Sequence, residues 1–200
     1  MKQGLLFLAA AVASWPGAAA AQGRPAERSF TGAYAGPELG AHQHHFFLEV
    51  TDGRTGRTEG RYYRAWGIGG GAFAGYDVAI ADRVRLGIEA GVSVGGNNPV
   101  ARFADGTTYT QHPRFGYRAT GKAGYLLGDR LLAYGTFGYG GHRYRLAGTA
   151  QIANAHEWGS SFTIGAGFQY RLSRRADLRL DFRHLDNAMS HILIGVPVRF

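Results

Sequence analysis

From Trp158 to Leu172 every second residue is apolar or small: Trp158, Ser160, Phe162, Ile164, Ala166, Phe168, Tyr170, Leu172. Between them stand Gly159, Ser161, Thr163, Gly165, Gly167, Gln169 and Arg171. A period of two places the first set on one face of a strand and the second on the other. The pattern returns in Ile192, Ile194, Val196, Val198 and Phe200. A soluble sandwich strand seldom stays apolar on one side for so many steps. A long strand with one greasy face and one Gly-rich polar face suits a closed barrel whose outside meets lipid.

The beginning of the chain points to export. Met1-Lys2-Gln3 is a short basic start, Leu5 to Ala13 is apolar, and Ala19-Ala20-Ala21 precedes Gln22. This is the pattern of a secretory signal peptide cleaved after Ala21, and its apolar run is too short to span a bilayer as a helix. The expected organisation is therefore signal peptide 1–21, a short segment 22–29, and a barrel over 30–200. The chain has no Cys, which rules out a disulfide and a lipidated first cysteine. Its 32 Gly, 11 Tyr and 12 Phe accompany a mean hydropathy of only −0.19, as alternation of polar and apolar positions requires. The net charge of +8 is carried almost wholly by Arg, since Lys122 is the only Lys after Lys2. In an exported chain that charge meets lipopolysaccharide phosphates rather than nucleic acid, and Gly69-Gly70-Gly71 lies in a strand pattern, not before a helix.

Eight strands are predicted, beginning with Gly32 to Leu48, Tyr62 to Ile80, a third from Val84, and Phe115 to Leu127. Leu131 to Leu146, Trp158 to Leu172, a seventh from Leu178 and a last one through Ile192 follow. Ala81-Asp82-Arg83, Gly128-Asp129-Arg130 and Ser173 to Ala176 are tight turns, whereas Thr51 to Gly60, Gly95 to Pro113 and Ala147 to Glu157 are loops. Asp186 to Ser190 makes a connection of intermediate length. Short turns on one side and longer loops on the other are the asymmetry of outer-membrane barrels. Trp66 and Trp158 near the outer strand ends, with Tyr76, Tyr125 and Tyr170 near the inner ends, form two expected aromatic belts.

Phe30-Thr31-Gly32-Ala33-Tyr34-Ala35-Gly36, Leu131-Leu132-Ala133-Tyr134-Gly135-Thr136-Phe137-Gly138-Tyr139 and Asp181-Phe182-Arg183-His184-Leu185-Asp186 carry a family likeness. The chain resembles the opacity-type, OmpA/OmpX-like eight-stranded barrels of Gram-negative bacteria. That resemblance implies an all-β, up-and-down antiparallel transmembrane barrel in the outer membrane. It also implies insertion by the barrel-assembly machinery, with Phe200 as part of the signal, and a scaffold, adhesin or antigen role.

Four groups of residues are candidates for function. Glu38, Asp77, Glu89, Asp181, Arg85, Arg118, Lys122, Arg171, Arg179 and Arg183 fall on the lumen face. Eight strands enclose only enough room for side chains, so a salt-bridge plug is expected rather than a gated ion path. The eight histidines lie in outer loops or outer strand halves. Of these, His42, His44, His142, His184 and His191 are the weak metal candidates; no ligand spacing is matched, so solvated histidines are expected. Arg183-His184-Leu185-Asp186 is similar to a lipid A deacylase segment, but Asp186 stands where that segment has its nucleophilic Ser. Ser190, six residues past His184, is read as too far along the chain to replace it. Arg54, Arg57, Arg61, Arg102 and Arg114 flank the first two outer loops as candidates for lipopolysaccharide phosphates or an extracellular or host ligand. The expectation is a non-catalytic envelope protein without cofactor, with a lipid A-modifying enzyme and a small gated pore as the alternatives.

Overall fold

The structure, a computed structural model, describes residues 29–51, 56, 58–103, 108–148, 156–186 and 189–200. The predicted signal peptide lies outside them. Ten strands are described: β1 (Gly32–Thr51), β2 (Thr58–Ala79), β3 (Val84–Gly95), β4 (Val100–Arg102) and β5 (Thr108–Gly128), then β6 (Leu131–Gly148), β7 (His156–Arg171), β8 (Asp177–Leu185), β9 (Met189–Gly195) and β10 (Val198–Arg199). Antiparallel pairing runs β1-β2-β3-β5-β6-β7-β8-β9, and β1 pairs with β9, which closes the ring. Closure leaves no edge strand in the ring of eight, the condition for a sheet to sit in hydrocarbon. This is the expected eight-stranded, up-and-down barrel.

Two details depart from the sequence expectation. The Gly95 to Pro113 segment is not simply a loop: β4 pairs with the start of β5, Val100 opposite Thr110 and Arg102 opposite Thr108. The last strand is split at Val196-Pro197, because proline has no N–H for the ladder. The register runs through the break unchanged, Glu38 opposite Gly195 and Ala35 opposite Val198. Pro37 lies in the facing stretch of β1, and its carbonyl accepts from the Val196 N–H at 3.1 Å. The two missing donors are thus gathered in one place.

Alternation fixes the two faces. Ile68, Ile88, Phe137, Phe162, Ile164 and Phe168 are exposed on the outside. Trp66 and Trp158 stand exposed towards the loop end, and Tyr76, Tyr125 and Tyr170 towards the turn end. The ten residue steps from Trp66 to Tyr76 on a tilted strand cover about 25 Å of depth, the height of an apolar band. Phe115 and Tyr117 pack against Trp158 at 5.3 and 5.6 Å in the outer belt.

The turn end of the lumen is stoppered by the residues that precede β1. Phe30 is fully buried and meets Leu126, Leu132 and Tyr134. Its φ of 59° is in the left-handed region, a conformation costing about 1–2 kcal/mol for a non-glycine residue. Burial of the ring and the Arg171 guanidinium 4.3 Å from its centroid offset that cost. Arg85 holds the same end: its guanidinium donates to the carbonyls of Ser29 at 2.7 Å and Ala81 at 3.0 Å. Phe30→Ala should therefore lower unfolding free energy by about 3–5 kcal/mol in urea titrations of the detergent-refolded barrel; an unchanged midpoint would mean that the stopper does not support the fold.

Candidate functional site

The lumen face of β1, β3, β5 and β8 carries three carboxylates and three guanidiniums in one layer. Arg118 grips Glu38 with two parallel bonds, Nη1 to Oε1 at 2.6 Å and Nη2 to Oε2 at 2.8 Å. Arg179 bridges Glu89 at 2.6 Å and Glu38 at 3.0 Å. Arg183 donates to Glu89 at 2.8 Å and to Asp181 at 2.7 Å. Glu89 also accepts from Arg118 at 3.2 Å and from the Tyr34 hydroxyl at 3.1 Å, so four groups from three other strands converge on it. The Phe73 ring lies 3.7 Å from the Arg179 guanidinium carbon and closes one side of the layer.

Tyr34 links this layer to a second one nearer the turns. Lys122 Nζ donates to the Tyr34 hydroxyl at 3.1 Å and to Asp77 at 2.7 Å. Arg199 joins Asp77 to Asp177, each at 3.1 Å, and Asp177 is further held by Gln169 at 2.6 Å and by Arg171. The structure thus brings together Glu38, Asp77, Glu89, Asp181, Arg118, Lys122, Arg171, Arg179 and Arg183 inside the barrel. Arg85 is inside as well, at the turn. Asp177, Arg199 and Tyr34 were missed, although parity could have found them: Asp177 is in step with Asp181, Tyr34 with Glu38, and Arg199 out of step with Val198 and Phe200. Charges this dry stay ionised only when paired and hydrogen-bonded, and removing one member strands the others.

The expectation of solvated histidines is corrected. His42, His44 and His142 are completely buried and His191 nearly so, above the Arg118–Glu38 pair on the lumen side. His42 and His191 are direct partners across β1 and β9, and their rings stack at 4.1 Å. His44 contacts the His142 ring at 4.8 Å; its two nitrogens meet the Tyr144 hydroxyl at 3.1 Å and the Gly95 carbonyl at 3.0 Å. Small residues make the room: a Cβ on Gly69 would stand 2.5 Å from the His42 ring, and one on Gly116 2.5 Å from that of His142. Higher still, Phe46 of β1 packs on Tyr63 at 5.4 Å and reaches Tyr109 of β5 at 5.3 Å across the mouth. No group of three or more potential ligands among the described residues is arranged to hold a metal ion.

His184 faces outward, away from that cluster. Its Nδ1 lies 2.9 Å from Ser190 Oγ, because His184 of β8 and Ser190 of β9 are direct partners across the ladder. The inference from six residues of chain separation is thereby overturned: a hairpin folds that separation to contact. Gln43, His45, Tyr62, Arg64 and Asp186 join them around a pocket of about 420 Å³. Among the loop arginines, Arg61, Arg102 and Arg114 are exposed, while Arg54 and Arg57 lie outside the described residues.

If Glu89 is the hub of the interior, Glu89→Ala should cost about 3–5 kcal/mol, since three guanidiniums lose a partner at once. Urea unfolding followed by heat-modifiable gel mobility would read this, and a loss under 1 kcal/mol would contradict the hub role.

Comparison with known proteins places this geometry. Among solved structures, the chain is similar to Ail, the attachment invasion locus protein of Yersinia pestis, solved with the heparin analogue sucrose octasulfate. Identity is 14%, with 84% of this chain and 99% of that one covered and a TM-score of 0.47. For the Neisserial surface protein A the values are 14%, 85%, 98% and 0.49. The N-terminal barrel domain of Pseudomonas aeruginosa OprF gives 15%, 82%, 97% and 0.40. No curated protein matches the chain. The family model for the outer membrane protein beta-barrel domain matches residues 5–193. With that match over an eight-stranded ring that turns its apolar face outward, the chain belongs to the outer membrane protein β-barrel domain family.

Proposed function

We propose that this protein is a closed barrel that supports the outer-membrane barrier and offers its outer hairpins to the surroundings. The observation that carries this reading is the filled lumen. Two ionic layers, a histidine layer and the Phe30 stopper stack along the lumen, and a cavity of about 30 Å³ lies beside Arg118, Arg183 and His191. That is room for about one water, which speaks against the gated-pore reading. The belt residues hold the barrel at fixed depth, and β1, β2, β5 and β6, each of 18 residues or more, outreach the 12 residues of β3 and project beyond it.

The projecting part supplies the contact surface. Exposed Arg61, Arg102 and Arg114 are suited to lipopolysaccharide phosphates or to anionic groups of an extracellular or host ligand, through charge-assisted bonds. Residues 1–21 would direct export, and the barrel-assembly machinery would read the terminal strand with Phe200, an exposed residue. This role needs no cofactor or metal and no catalytic group.

A strain lacking the protein should become sensitive to detergent and large antibiotics, and complementation separates barrel from loops. Full-length protein restores the barrier on this account, and a version with trimmed outer loops restores it in part. Failure of the full-length chain to restore resistance would contradict the envelope role.

A further inference from the structure

A polar pocket on the outward face of a membrane barrel is out of place unless something uses it. Antiparallel register sets a continuous row of direct neighbours: Trp66 opposite Gln43, Gln43 opposite Ser190, Ser190 opposite His184, and His184 opposite Ile164. Directly opposed residues share a face of the sheet. Trp66 and Ile164 are exposed members of the apolar exterior, so Ser190 and His184 face the lipid side as well. Ser190 is the second residue of β9 and His184 the last but one of β8, which puts both at the loop end, close to the Trp66 belt. That is the depth at which headgroups give way to acyl chains.

We propose that Ser190 and His184 form a hydrolytic dyad acting on acyl esters of outer-leaflet lipids, an activity additional to the envelope role and independent of the loops. Hydroxyl and imidazole already stand at 2.9 Å, within reach for proton transfer. Ser190 Oγ bonds to the ester carbonyl carbon while its proton passes to His184 Nδ1. The carbon–oxygen bond to the lipid alcohol then breaks, and that alcohol takes the proton from His184. Water next attacks the acyl-Ser190 ester, gives its proton to His184, and releases the fatty acid as Ser190 recovers its proton. The products are one fatty acid and one deacylated lipid, with water as the co-reactant.

The rest of the pocket suits this chemistry. The Gln43 side-chain amide, opposite Ser190, and the Arg64 guanidinium are the donors available to a developing oxyanion or a nearby lipid phosphate. The Asp186 carboxylate lines the same pocket. His45 is only 9% exposed, its ring lies parallel to that of His184 at 6.5 Å, and its Nδ1 has no partner among the described residues. His45 thus forms part of the pocket wall.

The test uses the full chain refolded in detergent, incubated separately with phosphatidylethanolamine vesicles and with lipopolysaccharide micelles, and fatty acid counted by mass spectrometry. Release from either substrate is expected, and which one responds identifies the ester. Ser190→Ala and His184→Ala should each lower the rate by about 10²–10⁴-fold while keeping the heat-shifted gel mobility of the folded barrel. No release from either substrate by folded wild-type protein, or release unchanged in folded Ser190→Ala, overturns the proposal. Neither outcome bears on the barrier phenotype, so the two readings fail separately.

Discussion

Hydrocarbon offers no partner to a polar group, and this constraint reaches every layer of the barrel. It requires the backbone to close on itself, which the β1–β9 pairing accomplishes. At the depth of the hydrocarbon it also turns ions inward, where they must find their counter-ions. Closure thus creates a narrow, dry lumen, and that lumen makes the Glu38–Arg118–Glu89 layer decisive. A fork of two bonds at 2.6 and 2.8 Å cannot be kept if β1 slips against β5 by a residue, since the side chain would then point to the lipid. The ionic layers therefore select one register, whatever net stability each pair contributes.

The same crowding is what the proposed envelope role rests on. Charged groups below, stacked imidazoles above them and an aromatic contact between Phe46 and Tyr109 at the mouth obstruct the route through the centre. What remains free to interact is the outside: the projecting hairpins with their arginines, and the lipid-side pocket around Ser190. The interior is spent on shape and the exterior on contact.

Much of this was legible in the sequence, because parity alone assigns a face. The phase of Ile88, Ala90 and Val92 on β3 sends Glu89 inward, and the phase of Leu178, Leu180 and Phe182 on β8 does the same for Arg179 and Arg183. Parity does not tell which charges meet, since pairing across the lumen joins strands far apart in the chain, as Arg183 and Glu89 show. Arg199 went unread although Val198 and Phe200, on either side of it, were already assigned to the apolar face. The histidines were misjudged because nearness to a loop was taken for exposure, while Gly69 and Gly116 beside them open space for buried rings. Ser190 was misjudged because spacing along the chain was used where the hairpin register decides.

The central claim is that the paired ions inside fix the barrel, and a double-mutant cycle on Glu38 and Arg118 tests it most directly. Each single alanine variant and the pair would be unfolded in urea from the same detergent. The account predicts a coupling of about 2–3 kcal/mol, because either truncation alone leaves a buried charge without its partner. A coupling within about 0.5 kcal/mol of zero would contradict it, and would mean that the backbone ring holds its register without the ions.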